Sequence, residues 1–216
     1  MGAAIALVVG ALGCAAPFQS RAPDVTIAPS RLVVLPVIVK ERTRNLNGDR
    51  QMDVETTDAA RDNVAAALRD QTTARGAHVF VPAAFDGHDP SVRQLYGELW
   101  RWMETASAEI AAQKAGRRDF GRHSVGEWRF HRDLAPLGDA LQADMALTLL
   151  IRETKDYGEW QGVSAACVVS LRDSRMIWCH AVDGPWGNLK NPAIAQAAVR
   201  DLLTGLDVPA ANPAAK

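Results

Sequence analysis

The chain has 216 residues, 48% of them hydrophobic and 23% charged, with 24 Lys and Arg against 25 Asp and Glu. This composition excludes disordered, collagen-like and disulfide-dense classes, and the length suits one large domain with a substantial core. A formal net charge of −1 argues against an obligate polyanion binder, and no nucleic-acid partner is expected.

The first twenty residues carry no charge. Their apolar stretch, Ala3 to Ala16, has 14 residues, short of the roughly 20 needed to cross a bilayer as a helix. It has the length of a signal-peptide apolar region. The stretch ends Ala11-Leu12-Gly13-Cys14, which resembles the lipobox of bacterial lipoproteins. The resemblance implies that residues 1–13 are a removed leader and that Cys14 becomes an acylated N-terminus anchored in the membrane. Gly13 and Cys14 fit the pattern. Leu12 stands later than the usual leucine, and no Lys or Arg precedes the apolar run. A leader without lipid and an ordinary buried segment are the alternatives. Ala15 and Ala16 do not give the aspartate-type inner-membrane retention signal, so the resemblance implies a periplasm-facing anchor in the outer membrane; a soluble periplasmic or secreted protein is the alternative. Residues 14–30, with Pro17, Pro23 and Pro29, read as a flexible tether.

Residues 31–207 read as a single domain. Arg31 to Val39 is a β-branched apolar run of buried-strand type, with Pro36 marking a bulge or an edge. Lys40 to Glu55 is a long loop or a short hairpin around Asn47-Gly48-Asp49. Thr57-Asp58 can cap a helix that runs to about Arg75, with Ala60, Val64, Ala67 and Leu68 at helical spacing and Gly76 as its stop. Ala77 to Pro82 is a second strand. Asp89-Pro90 opens another helix, whose stripe is Val92, Leu95, Leu99, Trp102, Met103, Ala106 and Ile110. A basic irregular segment precedes a short helix near Asp133 to Gln142. Met145 to Ile151 is a strongly apolar strand, and Ser164 to Leu171 with Met176 to Val182 forms a hairpin. Asn191-Pro192 starts the last helix, and residues 208–216 read as a disordered tail. The order β-α-β-α-α-β-β-β-α predicts an α/β (α+β mixed) domain with a mixed sheet of about five strands packed by helices in two or three layers.

The strand Arg31–Pro36, the helix ending Arg75-Gly76-Ala77, the approach Leu137 to Asp144 and the hairpin ending Met176-Ile177-Trp178 together resemble proteobacterial envelope lipoproteins. The α/β domains of these are similar to the N-terminal domain of TolB and to curli-secretion-type lipoproteins. The resemblance covers about residues 31–206 and implies the fold; a shared fold does not carry a site with it.

Chemistry is sparse. If Arg172-Asp173-Ser174 makes a three-residue turn, Cys167 falls opposite Cys179 within disulfide range; a two-residue turn puts Val168 there instead, so a bridge and two buried thiols both remain open. No metal site is expected, because zinc-type spacing is absent, and no cofactor is expected. His78, His88, His123, His131 and His180 are scattered, and Asp86-Gly87-His88-Asp89 reads as a turn before a helix. No HExxH, GxSxG, P-loop or GxGxxG occurs. Residues 114–132 carry a local charge of +4 against −5 for the remainder. Arg117, Arg118, Arg122, Arg129 and Arg132 with Trp128 form a possible patch for head groups, polysaccharide or an acidic partner face, and a solvated loop with core-packed aromatics is the alternative. The expected function is that of a lipid-anchored envelope protein that binds a protein or other envelope component as an accessory or assembly subunit, with no catalytic residue. The alternative is a periplasmic hydrolase of cell-wall or polysaccharide substrate using carboxylates such as Glu127, Asp156 or Glu159. Two carboxylates converging on a pocket, one with a raised pKa, would mark it.

Overall fold

The computed structural model describes residues 31–44, 47–73, 78–79, 89–114 and 125–206. The expected leader, tether and tail lie outside them. Seven strands form one mixed sheet: β1 (Leu32–Val34), β2 (Ile38–Arg44), β3 (Arg50–Met52), β4 (His78–Val79), β5 (Met145–Asp156), β6 (Glu159–Ser170) and β7 (Arg175–Asp183). The helices are α1 (Val54–Thr73), α2 (Pro90–Lys114), α3 (Ala135–Leu141) and α4 (Pro192–Leu202).

The count exceeds the expected five for two local reasons. Pro36 has no amide to give the ladder, and the first run splits there into β1 and β2, both parallel to β5. Three residues lie between Val34 and Ile38, but only two between their partners Leu147 and Leu150. The extra residue is the bulge that Pro36 foreshadowed. Beyond Asn47-Gly48, where Gly48 has a φ of 85°, β3 folds back antiparallel on β2. The polar stretch is therefore a hairpin.

Three layers result. Leu32, Val34, Val37 and Val39 join Leu147, Leu149 and Ile151 under α1 and α4 on one face. Val33, Ala146, Val169 and Ala181 pack under α2 and α3 on the other. Helix starts follow local capping. Asn191 accepts the Ala193 amide at 3.0 Å and Asp89 that of Ser91 at 2.7 Å, each just before a proline. Helix α1 begins earlier than Thr57-Asp58 predicted, because Asp53 accepts the Thr56 amide at 2.9 Å and so satisfies an otherwise orphaned donor. Where the chain enters the sheet, Asp144 accepts the Arg31 amide at 3.1 Å and Arg172 Nε at 2.9 Å.

The β6–β7 turn is one residue longer than the three-residue reading, since Ser170 faces Arg175. A register shift then intervenes, with Val169 facing Met176 and Val168 facing Trp178. The two irregularities cancel, and Cys167 faces Cys179 with Cα atoms 4.0 Å apart.

The approach of α3 to this hairpin requires glycine. A Cβ on Gly138 would lie 2.9 Å from the Ala143 carbonyl oxygen and 3.2 Å from Leu171 Cβ. Gly138→Ala is expected to destabilise the domain by about 1–3 kcal/mol, read as a lower denaturant midpoint at unchanged slope; an unchanged midpoint would contradict the packing described.

Candidate functional site

The parallel β2–β5 ladder pairs Lys40 with Arg152 and Glu41 with Glu153. Side chains alternate across a strand, so the two basic residues share one face and the two acidic residues the other. On the basic face, Glu104 of α2 receives hydrogen bonds from Lys40 and, at 2.7 Å, from Arg152 Nη2. Burial opposes the charge of Glu104, but these two cations more than offset it and hold its carboxyl below the usual range.

Among the described residues no cation sits in the same way between Glu41 and Glu153. Each is 1% exposed. Glu41 Oε1 and Oε2 and Glu153 Oε2 are buried without a hydrogen-bond partner. Burial, reinforced by the charge of Glu153, pushes the Glu41 carboxyl up to about 7, against a smaller opposing effect of Lys190. Burial also raises Glu153, although its Oε1 accepts the Trp186 amide at 2.5 Å and the Gly187 amide at 3.4 Å. The pair is thus a low-dielectric acid site able to hold a proton near neutrality or to take a donor from outside.

The surrounding elements hold Glu41 in place. Thr57 Oγ1 of α1 accepts the Glu41 amide at 3.2 Å and donates to its carbonyl at 3.3 Å. Gly162 lies opposite Glu153, where a Cβ would be 3.1 Å from Glu153 Cγ and 3.5 Å from Pro185 Cα. Its missing side chain admits the loop that carries Trp186, whose Nε1 donates to Ser164 Oγ at 3.1 Å.

Glu41 forms part of the wall of a cavity of about 520 Å³, together with Asp53, Lys155, Trp160, Asn188 and Lys190. Lys155 Nζ lies 5.8 Å from the centroid of the Trp160 ring. Asp53 is occupied at the start of α1, where the Thr56 hydroxyl and amide hold its carboxyl below the ordinary range. In the chain, Met52 and Val54 flank Asp53, and Tyr157 stands two residues beyond Lys155 at the β5–β6 turn. They are 49%, 63% and 81% exposed respectively.

The residues expected from sequence fall elsewhere. Cys14, Arg117, Arg118 and Arg122 lie outside the described residues, as does His88. Trp128 is half-buried against the α2-side core, and Phe130 packs edge-on to Trp102 with centroids 5.7 Å apart. Arg132 pairs with Glu98 at 2.9 Å, Lys114 donates to the Ala181 carbonyl, and Arg129 is exposed. Of the carboxylates named for hydrolysis, Asp156 pairs with Arg44 at 2.9 Å, Glu159 is its exposed ladder partner, and Glu127 belongs to a short 3-10 turn. None of these lines the Glu41 cavity. Among the described residues no cluster of three or more His, Cys, Asp or Glu is arranged to hold a metal. Glu41 and Glu153 were overlooked, although Glu153 continues the buried phase of Leu147, Leu149 and Ile151.

The sequence matches no protein-family model, and no curated protein matches it significantly. Among solved structures, the chain is similar to the lipoprotein GNA1162 from Neisseria meningitidis, at 13% identity and a TM-score of 0.34, covering 82% of this chain and 98% of that one. It is similar to the PelC dodecamer protein from Paraburkholderia phytofirmans at 9% identity and a TM-score of 0.35, covering 84% and 89% respectively. For the LpoB C-terminal domain from Salmonella enterica the values are 15% and 0.31, covering 74% and 87%. At these scores the likeness is one of outline.

A carboxyl raised by folding binds its proton more tightly in the folded state, so the contribution of Glu41 to stability is largest at low pH and is lost as pH rises from about 4.5 through about 7. Glu41→Gln is expected to remove about 2–3 kcal/mol of that loss, seen by denaturant unfolding at pH 5 and pH 8. Parallel losses in both proteins would show that Glu41 does not carry the effect.

Proposed function

We propose that the chain is an envelope lipoprotein held at the outer membrane by an acylated Cys14, whose periplasmic domain works by binding an envelope partner and performs no turnover. The observation that carries this is the uncharged start ending Gly13-Cys14, followed by a proline-containing spacer up to the first strand at Leu32. Among the described residues no helix is long and apolar enough to cross a membrane. An exported domain meets an oxidising compartment, in which Cys167 and Cys179 form a disulfide. The exposed Arg129 is a candidate basic contact, and Arg117, Arg118 and Arg122 are proposed as further contacts on the sequence alone.

The buried acid pair favours hydrolysis of a cell-wall or polysaccharide substrate as a second reading, with Glu41 as the raised acid in place of Glu127, Asp156 or Glu159. Glu41 reaches the cavity wall beside Trp160, but Glu153 does not. Two-carboxylate hydrolysis needs both groups at the substrate, so binding is preferred. Release of reducing ends from purified peptidoglycan, abolished by Glu41→Gln, would reverse that preference.

Intact-mass measurement of membrane-extracted protein is expected to find a chain starting at an acylated Cys14, and Cys14→Ser is expected to move the domain into the soluble fraction. An unmodified Met1 terminus overturns the lipoprotein reading. In the same preparation, alkylation before reduction is expected to leave Cys167 and Cys179 unlabelled, whereas labelling of both would show free thiols. Replacing both by Ala is expected to cost about 2–3 kcal/mol of stability.

A further inference from the structure

We propose that the cavity beside β2 receives an organic cation, an alkylammonium or guanidinium group carried on a basic side chain of a protein partner, with Glu41 as the primary acceptor and Glu153 reinforcing the negative field behind it. This deepens the binding reading and is independent of acylation at Cys14.

Both oxygens of Glu41 lack a partner although the residue is 1% exposed and forms part of the cavity wall. Buried polar atoms in folded proteins are nearly always satisfied, and an orphaned carboxylate calls for a donor from outside the chain. Here two acidic side chains stand side by side on one sheet face, so the donor that fits best also brings positive charge. The protein's own cations do not fill this role. Lys155 leans over Trp160, and Lys190 is exposed at the rim, without a hydrogen bond to Glu41. A divalent metal would need more oxygen ligands than the site offers, and the described residues hold no cluster of that kind.

The rim indicates what bears the cation. Met52, Val54 and Tyr157 are the exposed large hydrophobic residues among those described; Met52 and Val54 adjoin the cavity-lining Asp53 in the chain, and Tyr157 stands two residues beyond the cavity-lining Lys155. A charged pocket within an apolar margin suits an anchoring Arg or Lys flanked by apolar neighbours. A free amine or guanidine would use only the pocket.

Calorimetric titration of the full chain in detergent at pH 8, where Glu41 is ionised, tests this with four probes: methylguanidinium, the peptide acetyl-Leu-Arg-Leu-amide, the same peptide with citrulline for Arg, and calcium chloride. Saturable binding of the Arg peptide is expected, at least about tenfold tighter than the neutral citrulline peptide. Glu41→Gln should weaken the Arg peptide on the order of tenfold. Lys190→Gln, which removes a competing rim charge and leaves the fold untouched, should tighten it about two- to threefold. If methylguanidinium matches the Arg peptide, the cation site stands but its source is a free small molecule, which overturns the protein-partner assignment. Equal binding of the Arg and citrulline peptides, no saturable binding of any cation, or displacement of the peptide by calcium overturns the cation site. None of these outcomes bears on whether Cys14 is acylated.

Discussion

The parallel pairing of β2 on β5 is the constraint from which the chemistry of this domain follows. Because partners in a parallel ladder project to the same side, the register that places Lys40 beside Arg152 also places Glu41 beside Glu153. A shift of one residue in one direction would set Glu41 opposite Arg152 and Arg42 opposite Glu153. The register is fixed further down the strands, where Val34 and Leu147, then Val39 and Ile151, must face the α1–α4 core. Apolar burial at one end of the sheet therefore enforces like-charge contact at the other.

The two faces resolve that contact differently. On the α2 side, Glu104 supplies a carboxylate between the two cations, and the network closes. On the α1 side, Thr57 is spent on the Glu41 backbone and the Trp186–Gly187 amides on one oxygen of Glu153, so the Glu41 carboxylate has no hydrogen-bond partner among the described residues. An arrangement of this kind lowers stability unless a proton or an external donor compensates. Gly162 leaves room for Glu153, since a Cβ there would lie 3.1 Å from Glu153 Cγ.

Much of the architecture was legible in the sequence because it is written in short-range patterns. The Asp89-Pro90 and Asn191-Pro192 starts, the helical stripe ending at Ile110 and the apolar run Met145–Ile151 are local signals that tertiary packing reinforced. Asp53 as the start of α1 was missed because a capping side chain can precede several plausible first turns. The extra turn residue between β6 and β7 was missed because turn length and a later bulge compensate invisibly. The acid pair posed a different difficulty. Phase alone marks Glu153 as inward-facing, but its significance depends on Glu41, more than a hundred residues away, and only the strand pairing joins them. The basic segment misled in the opposite direction: Arg132 and Lys114 look available in sequence and are engaged by Glu98 and a backbone carbonyl once folded.

The direction of the sheet gives the site an orientation. Arg31 enters beside Asp144 at the start of β5, whereas Glu153 stands near the end of that strand. Between Met145 and Glu153 the strand rises about 26 Å at roughly 3.3 Å per residue. The folded domain is therefore entered from one end of the sheet while the cavity opens at the other. With Cys14 as the attachment proposed above, the chain would join the domain at the Arg31 end of the sheet, opposite the cavity. The anchor would then leave the Glu41 end of the sheet free to meet a second protein.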